Sequence, residues 1–327
     1  MAAPDTFRGT ASARAVAAAI GRAAWENGWD CDEVPVADGG EGFLDALGGP
    51  NRTTTVTGPL GDPVEAGWRL DGRRAVVEMA LASGLALLGG AAENDPIAAS
   101  TYGTGELISA AVEAGARRVL VGIGGSATTD GGLGALRALH PIPRLRGVEL
   151  VVACDVRTRF VDAADVFAPQ KGATAAQVEL LRRRLERLAQ VYVEDHGVDV
   201  TDLSGAGGAG GLAGGLAAIG ARLVEGFEVV ADEVELWDRI EGADLVITGE
   251  GFLDEQSFEG KVVGGVAALA AEAGVPVVAV VGQVVDGPAA DRIEVVSLVE
   301  RFGEDEAMNR TTRCVERITA ELLTRPR

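Results

Sequence analysis

Residues 119–134 read VLVGIGGSATTDGGLG, and the rest of the chain is organised around them. The apolar run at 119–123 has the length and β-branching of a buried strand. It breaks at Gly124-Gly125, passes through small hydroxyl residues, and reaches Asp130 beside Gly131-Gly132. A strand that empties into a glycine turn ahead of a helix is the unit of a doubly wound α/β sheet, where ligands sit at the carboxyl ends of the strands. Glycine admits positive φ and close approach of backbone to a ligand. Successive N–H groups in such a turn form an anion-binding concavity, and a helix N-terminus reinforces it. Gly124 and Gly125 supply that geometry, Ser126 and Thr128 add donors, and Asp130 adds one base within the same loop. A purely structural turn needs neither the hydroxyls nor the acid.

Outward from this loop the chain changes style twice. Near the N-terminus a helix is expected over 12–27 with Gly28 as its stop, then a strand at 34–36. That strand runs into Ala37-Asp38-Gly39-Gly40-Glu41-Gly42, a second glycine loop carrying acids. Asp38 and Glu41 suit Mg²⁺ or a substrate hydroxyl; an Asp-Gly turn with a helix-start glutamate is the plain alternative. Segments 53–57, 66–70 and 75–79 are short, separated by Gly-Pro, Gly-Asp-Pro and Asp-Gly turns, and read as antiparallel hairpins. Residues 100–105 open a helix to 113; the hydroxyls and glycines there suit an anion, and Thr101 or Thr104 as a simple N-cap is the plain alternative. A strand at 149–153 leads to Asp155. Residues 167–172, FAPQKG, precede an amphipathic helix with Val178, Leu181, Leu185, Leu188 and Tyr192 on one face and Arg182, Arg183 and Arg184 on a solvated one. The glycine-dense segment 202–215 packs closely under a ligand or another backbone. From residue 243 the strand–helix alternation returns: 243–248 ends in Gly249-Glu250-Gly251, followed by Asp254, Gln256, Gly260 and Lys261, a helix to 273, strands at 275–281 and 293–298, and a last helix to about 323. The expected architecture is therefore α/β: a doubly wound parallel domain of the Rossmann or flavodoxin-like kind, made of 1–50 and 240–327. A second α/β domain with hairpins and glycine loops, 51–239, is inserted into it. The active-site cleft is expected between them, with Asp38, Glu250 and Lys261 on one side and Ser126, Asp130 and Lys171 on the other.

Composition narrows the function. The 327 residues are 47% hydrophobic and 24% charged, the profile of a soluble globular protein. No signal peptide or membrane span is evident, and a cytoplasmic location is expected. Three cysteines, Cys31, Cys154 and Cys314, are far apart and read as small buried residues in a reducing compartment. Two histidines, His140 and His196, make no metal cluster. A net charge of −20 excludes nucleic acid and anionic membrane as partners, both of which need a basic footprint. Small anionic substrates remain compatible with it; oligomeric state is left open. Of 29 basic residues, two are lysines, Lys171 and Lys261, each beside glycine, where a compact ammonium suits a phosphate or carboxylate. There is no Walker A loop: Glu255 stands where that motif has glycine, six residues before Lys261, and Val262 replaces Ser/Thr. Gly122-x-Gly124-x-x-Ala127 matches the dinucleotide fingerprint in spacing alone.

Taken together, PDTFRGT, VPVADGGEG, VEMALASGL, TYGTGELI, GIGGSATTDGG, ACDV, FAPQKGAT and ITGEGFLDEQSFEGK resemble the type I glycerate kinases, across nearly the whole chain and in the family's order. The resemblance implies ATP-dependent phosphorylation of D-glycerate, most often at the 2-hydroxyl, with Mg²⁺. In that reading Asp130 is the carboxylate near the attacking hydroxyl, with Asp38 as competitor. Lys171 and Lys261 offset phosphate or carboxylate charge, and Gly124, Gly125 and Ser126 donate to the same anion. Asp5, Arg8, Gly39, Gly40, Glu41, Thr128, Gly249, Glu250, Gly251, Asp254 and Gln256 complete the expected binding set; no metal ligands are assigned. The chain departs from the family at Thr6-Phe7-Arg8-Gly9 (for S-F-K-G), at Gly249-Glu250-Gly251-Phe252 (for G-E-G-R) and at Arg157-Thr158-Arg159 (for N-P-L). These departures keep a second class open, a ligand-binding or catalytically altered paralogue acting on another small hydroxy acid.

Overall fold

The computed structural model describes residues 1–258, 260–285 and 293–324. The chain forms two compact units: Met1–Asp38 with Asp45–Leu47 and Phe227 onward, and Gly39–Leu44 with Gly48–Gly226.

The first unit holds a four-stranded, all-parallel sheet in the order Ala2–Pro4, Val246–Gly249, Val277–Val281, Glu294–Ser297. The run VVAVV at 277–281 has no polar alternation because both faces of a parallel sheet are covered. Val280 packs with Ile20 and Ile318, from the helices Ala13–Glu26 and Thr311–Thr324. Its neighbours Ala279 and Val281 pack with Val263, from the helix Val262–Ala273. Successive side chains point to opposite faces, so helices line both faces and the sheet is doubly wound, as expected. The expected helix at 12–27 is Ala13–Glu26, started by the Ser12 hydroxyl, which accepts from the Ala15 N–H at 3.2 Å. The expected strand at 34–36 is instead an extended flank with one isolated bridge, Ala2 to Glu33. Val34 and Val36 donate to the carbonyls of Ala2 and Pro4 at 2.8 and 2.9 Å. Pro35 between them has no N–H to offer a further strand, so it suits a sheet edge. Phe252–Leu253 and Gln283–Val284 form a small parallel pair too short for any sequence period to reveal.

The second unit holds a six-stranded mixed sheet in the order Arg52–Thr57, Pro63–Asp71, Arg74–Glu78, Arg118–Gly122, Glu149–Ala153, Arg222–Val224. The first two pairings are antiparallel, matching the hairpin reading, and the other three are parallel. Arg118–Gly122 therefore lies mid-sheet. Val119 and Val121 are fully buried with Leu107 and Ile108 of the helix Tyr102–Glu113 and with Leu185 and Tyr192 of the helix Ala175–His196. The latter helix opens with a Thr174–Gln177 capping box and stops at Gly197, whose φ of 70° is left-handed. Cys154 and Cys314 are buried as expected, whereas Cys31 is part-exposed; all three are free thiols. Among the described residues no helix is long and apolar enough to cross a membrane.

Candidate active site

In the second unit the two glycine loops meet. The Gly124 N–H donates to the Gly39 carbonyl at 3.2 Å. A Cβ on Gly124 would collide with the Cα of Gly40, so the approach requires glycine. Gly39, Gly40 and Gly124–Ser126 are thereby brought together, with Glu41 exposed beside them. Gly125 is left-handed, at φ +72°. Neither its N–H nor that of Ser126 donates to a protein acceptor among the described residues. The Ser126 hydroxyl accepts from the Lys171 ammonium at 2.7 Å, which leaves its own proton to donate elsewhere. Three donors without a protein acceptor thus lie on two adjacent residues of one glycine loop, the kind of donor set that suits a phosphate or carboxylate.

Two residues expected to touch substrate are committed to the protein. Lys171 is 3% exposed, and its ammonium also donates to the Thr128 carbonyl at 2.6 Å. Burial pushes this ammonium down to about 7, opposed by the charge of Asp130. It reaches an anion at the loop only through Ser126. The Asp130 carboxylate accepts from the Thr101 N–H and hydroxyl, both at 2.9 Å, and from the Gly132 and Gly134 N–H groups, both at 3.1 Å. A carboxylate so filled organises the loop. Thr101 sits at the N-cap of its helix without capping it; its hydroxyl serves Asp130 and the Ala135 N–H instead. Gly124 spends its N–H on Gly39, and the Thr128 hydroxyl is buried without a partner.

The first unit brings together a second set. The Asp5 N–H donates to the Gly249 carbonyl at 2.8 Å, and the Asp5 carboxylate accepts from the Thr6 N–H at 2.6 Å. Gly251 lies against the Phe7–Arg8 backbone, where a Cβ would stand 3.1 Å from the Arg8 nitrogen. Between these glycines Glu250 has one carboxylate oxygen buried with no hydrogen-bond partner. Burial pushes its pKa up to about 7, the charges of Asp254 and Asp38 add to the rise, and Ser257 and Lys261 oppose it. Asp254 is held by the Ser257 N–H at 3.0 Å, and Lys261 occupies the N-cap position of the helix Val262–Ala273. Gln256 and Arg8 are exposed, and Asp38 is half-buried.

Comparison with known proteins gives the family. The model of the glycerate kinase family matches residues 1–142 and 140–325. The chain is 40% identical to glycerate 2-kinase of Escherichia coli K12 over 324 residues, 87% of this chain and 85% of the relative. It is 41% identical to a glycerate kinase of Bacillus subtilis 168 over 322 residues, 86% and 84% of the two chains. A solved glycerate kinase 2 structure from Salmonella typhimurium LT2 superposes with a TM-score of 0.82 and 36% identity, covering 98% of this chain and 97% of that one. The chain belongs to the glycerate kinase family. It is a phosphotransferase fold with an alcohol as acceptor. As a glycerate kinase family member it keeps the three departures at the surface. Phe252 is 48% exposed. Arg157 lies 3.5 Å from Glu225 and Arg159 donates to Asp162 at 2.8 Å, both as exposed ion pairs. Sequence reading missed Asn94, which donates to the carbonyls of Ala127 and Lys171 at 3.0 and 2.9 Å, and Tyr192, which donates to that of Gly131 at 2.8 Å. Tyr192 carried a legible signal only as an apolar helix position.

Proposed function

We infer that this chain is an ATP-dependent glycerate kinase that phosphorylates the 2-hydroxyl of D-glycerate, giving 2-phosphoglycerate and ADP. The observation that carries the reading is Glu250, a buried carboxylate with an unpartnered oxygen and a pKa near 7, beside Lys261. A general base works best when its pKa is close to the working pH. The substrate oxygen attacks the γ-phosphorus, its proton passes to Glu250, and the bond to the β-phosphate oxygen breaks with ADP as leaving group. Lys261 offsets negative charge at that carboxylate cluster, and the N–H groups of Gly125 and Ser126 with the Ser126 hydroxyl hold anionic oxygen. Mg²⁺ takes one or two carboxylates and completes its shell with water and phosphate. Asp38 and Asp254 would hold the ion, which when bound neutralises charge on the nucleotide phosphates. A cytoplasmic location belongs to the same reading, since ATP and free thiols coexist there.

Phosphorus NMR of the product from ATP and D-glycerate tests the assignment directly: 2-phosphoglycerate is expected, 3-phosphoglycerate overturns the regiochemistry, and glycerate binding without ADP formation favours the binding-only paralogue. Glu250 must be deprotonated to act, so kcat/KM should fall as pH drops through about 7. Glu250→Gln should lower kcat by about 10²–10⁴ and remove that limb. Activity within a few-fold of wild type takes Glu250 out of the chemistry.

A further inference from the structure

A cavity of about 580 Å³ opens in the second unit, between the helix Ala175–His196 and the segment 96–102. Its size is that of a site for a small organic molecule. The floor is apolar, built from Ile97, Leu133, Leu185 and Leu188. Four arginines, Arg137, Arg183, Arg184 and Arg187, line it, against one acid, Asp130. Asp130 is already compensated by four local donors. Arg183 shares its charge with Glu179 and Arg187 with Glu194, while Arg184 donates to the Ile97 carbonyl at 3.0 Å. Arg137 is exposed and makes no ion pair among the described residues. In a chain of net charge −20, this clustering is a local reversal of sign.

We propose that this cavity is a second ligand site, taking a small amphipathic anion whose apolar body rests on the leucine floor and whose carboxylate, sulfonate or phosphate head meets Arg137 and Arg184. The two parts of such a ligand map onto two features: apolar body to Leu133, Leu185 and Leu188, and charge to the arginines. Inorganic anions lack the body and alcohols lack the charge, so neither should bind well. The site differs in chemistry from the glycine loop, whose donors are backbone N–H groups and one hydroxyl.

The test uses the whole chain without ATP or glycerate, so its outcome does not depend on the proposed activity. The fluorescent aryl sulfonate 1-anilinonaphthalene-8-sulfonate is titrated in, and displacement is read with decanoate, decanol, inorganic phosphate, ATP and D-glycerate. One saturable site is expected, displaced by decanoate and by none of the other four. Arg137→Glu should weaken binding at least tenfold. Ala98→Trp, which fills the exposed rim of the cavity, should abolish it. Both positions are exposed, and circular dichroism confirms that the variants fold. Binding unchanged in both variants, displacement by ATP or glycerate, or the lack of any saturable site overturns the proposal.

Discussion

Lys171 holds its charge where water scarcely reaches, and the consequence is a measurable dependence of stability on pH. Its ammonium has a pKa of about 7 in the folded chain against an ordinary value of 10.5. Below about 7 the folded and unfolded chains both carry the proton, and the folded chain bears the whole cost of burying it. Between about 7 and 10.5 the unfolded chain keeps a proton that the folded one has shed, so this group makes stability rise with pH. The difference in unfolding free energy between wild type and Lys171→Met should therefore grow across that window, by at most about 1.4 kcal/mol per pH unit. Urea midpoints at pH 6.5, 7.5, 8.5 and 9.5 read it, and a flat difference would mean that the site is wetter than its burial indicates. Lys171 also marks where residue-level reading stops. Its rarity and its glycine neighbour drew attention to it in the sequence, and it does brace the glycine loop. Its inward direction, toward Ser126 and Thr128, was not legible, because residue type states what a group donates and not to whom. Asp130 repeats the lesson: residue type marks an acid in a glycine loop, and only the structure shows that Thr101, Gly132 and Gly134 donate to it.

The loop from Gly122 to Leu133 is held in place from outside itself. Asn94 ties it to the segment around Lys171, Thr101 to the helix Tyr102–Glu113, and Tyr192 to the long helix. The Tyr192 hydroxyl is buried, and its desolvation pushes the phenol pKa up, so it stays a neutral donor to the Gly131 carbonyl. Tyr192→Phe leaves that carbonyl unpaired and should cost about 1–3 kcal/mol. Tyr102→Phe, at a part-exposed ring, should stay within about 0.5 kcal/mol. Denaturant midpoints of the two variants compare them; equal losses would mean that the Tyr192 bond does not restrain the loop. Legibility follows the same division. The strands at 118–122, 149–153 and 277–281 and the helices at 13–26 and 175–196 were readable because apolar period and caps are local signals. The flank at 34–36 has strand composition and donates to Ala2 and Pro4, but Pro4 has no N–H to return a bond, so no continuous ladder forms. The pairing of Phe252–Leu253 with Gln283–Val284 joins residues about 30 apart through two-residue segments, and nothing local encodes it.

At the scale of the whole molecule the excess of acid dominates. The chain carries 49 acidic and 29 basic side chains, and two effects of added salt oppose one another. Exposed ion pairs such as Arg239–Asp32 at 2.8 Å and Arg301–Glu321 at 2.6 Å weaken as salt screens them. Each is worth only about 0–1 kcal/mol, because water already screens it and two long side chains must be ordered. The uncompensated charge of −20 repels itself across the surface, and that repulsion also fades once the Debye length falls to about 10 Å near 0.1 M. Ion pairs cancel locally whereas the excess does not, so relief of repulsion should win at neutral pH. The melting temperature at pH 8 should rise by several degrees between about 10 and 300 mM NaCl, each 1 kcal/mol being worth roughly 2–4 °C in domains of 150–250 residues. At the pI of about 4.5 the excess vanishes, and the remaining ion pairs alone are left to be screened. The salt effect should there shrink to nothing or reverse. A general salting-out stabilisation would instead raise the melting temperature equally at both pH values, so equal slopes would refute self-repulsion as the cause.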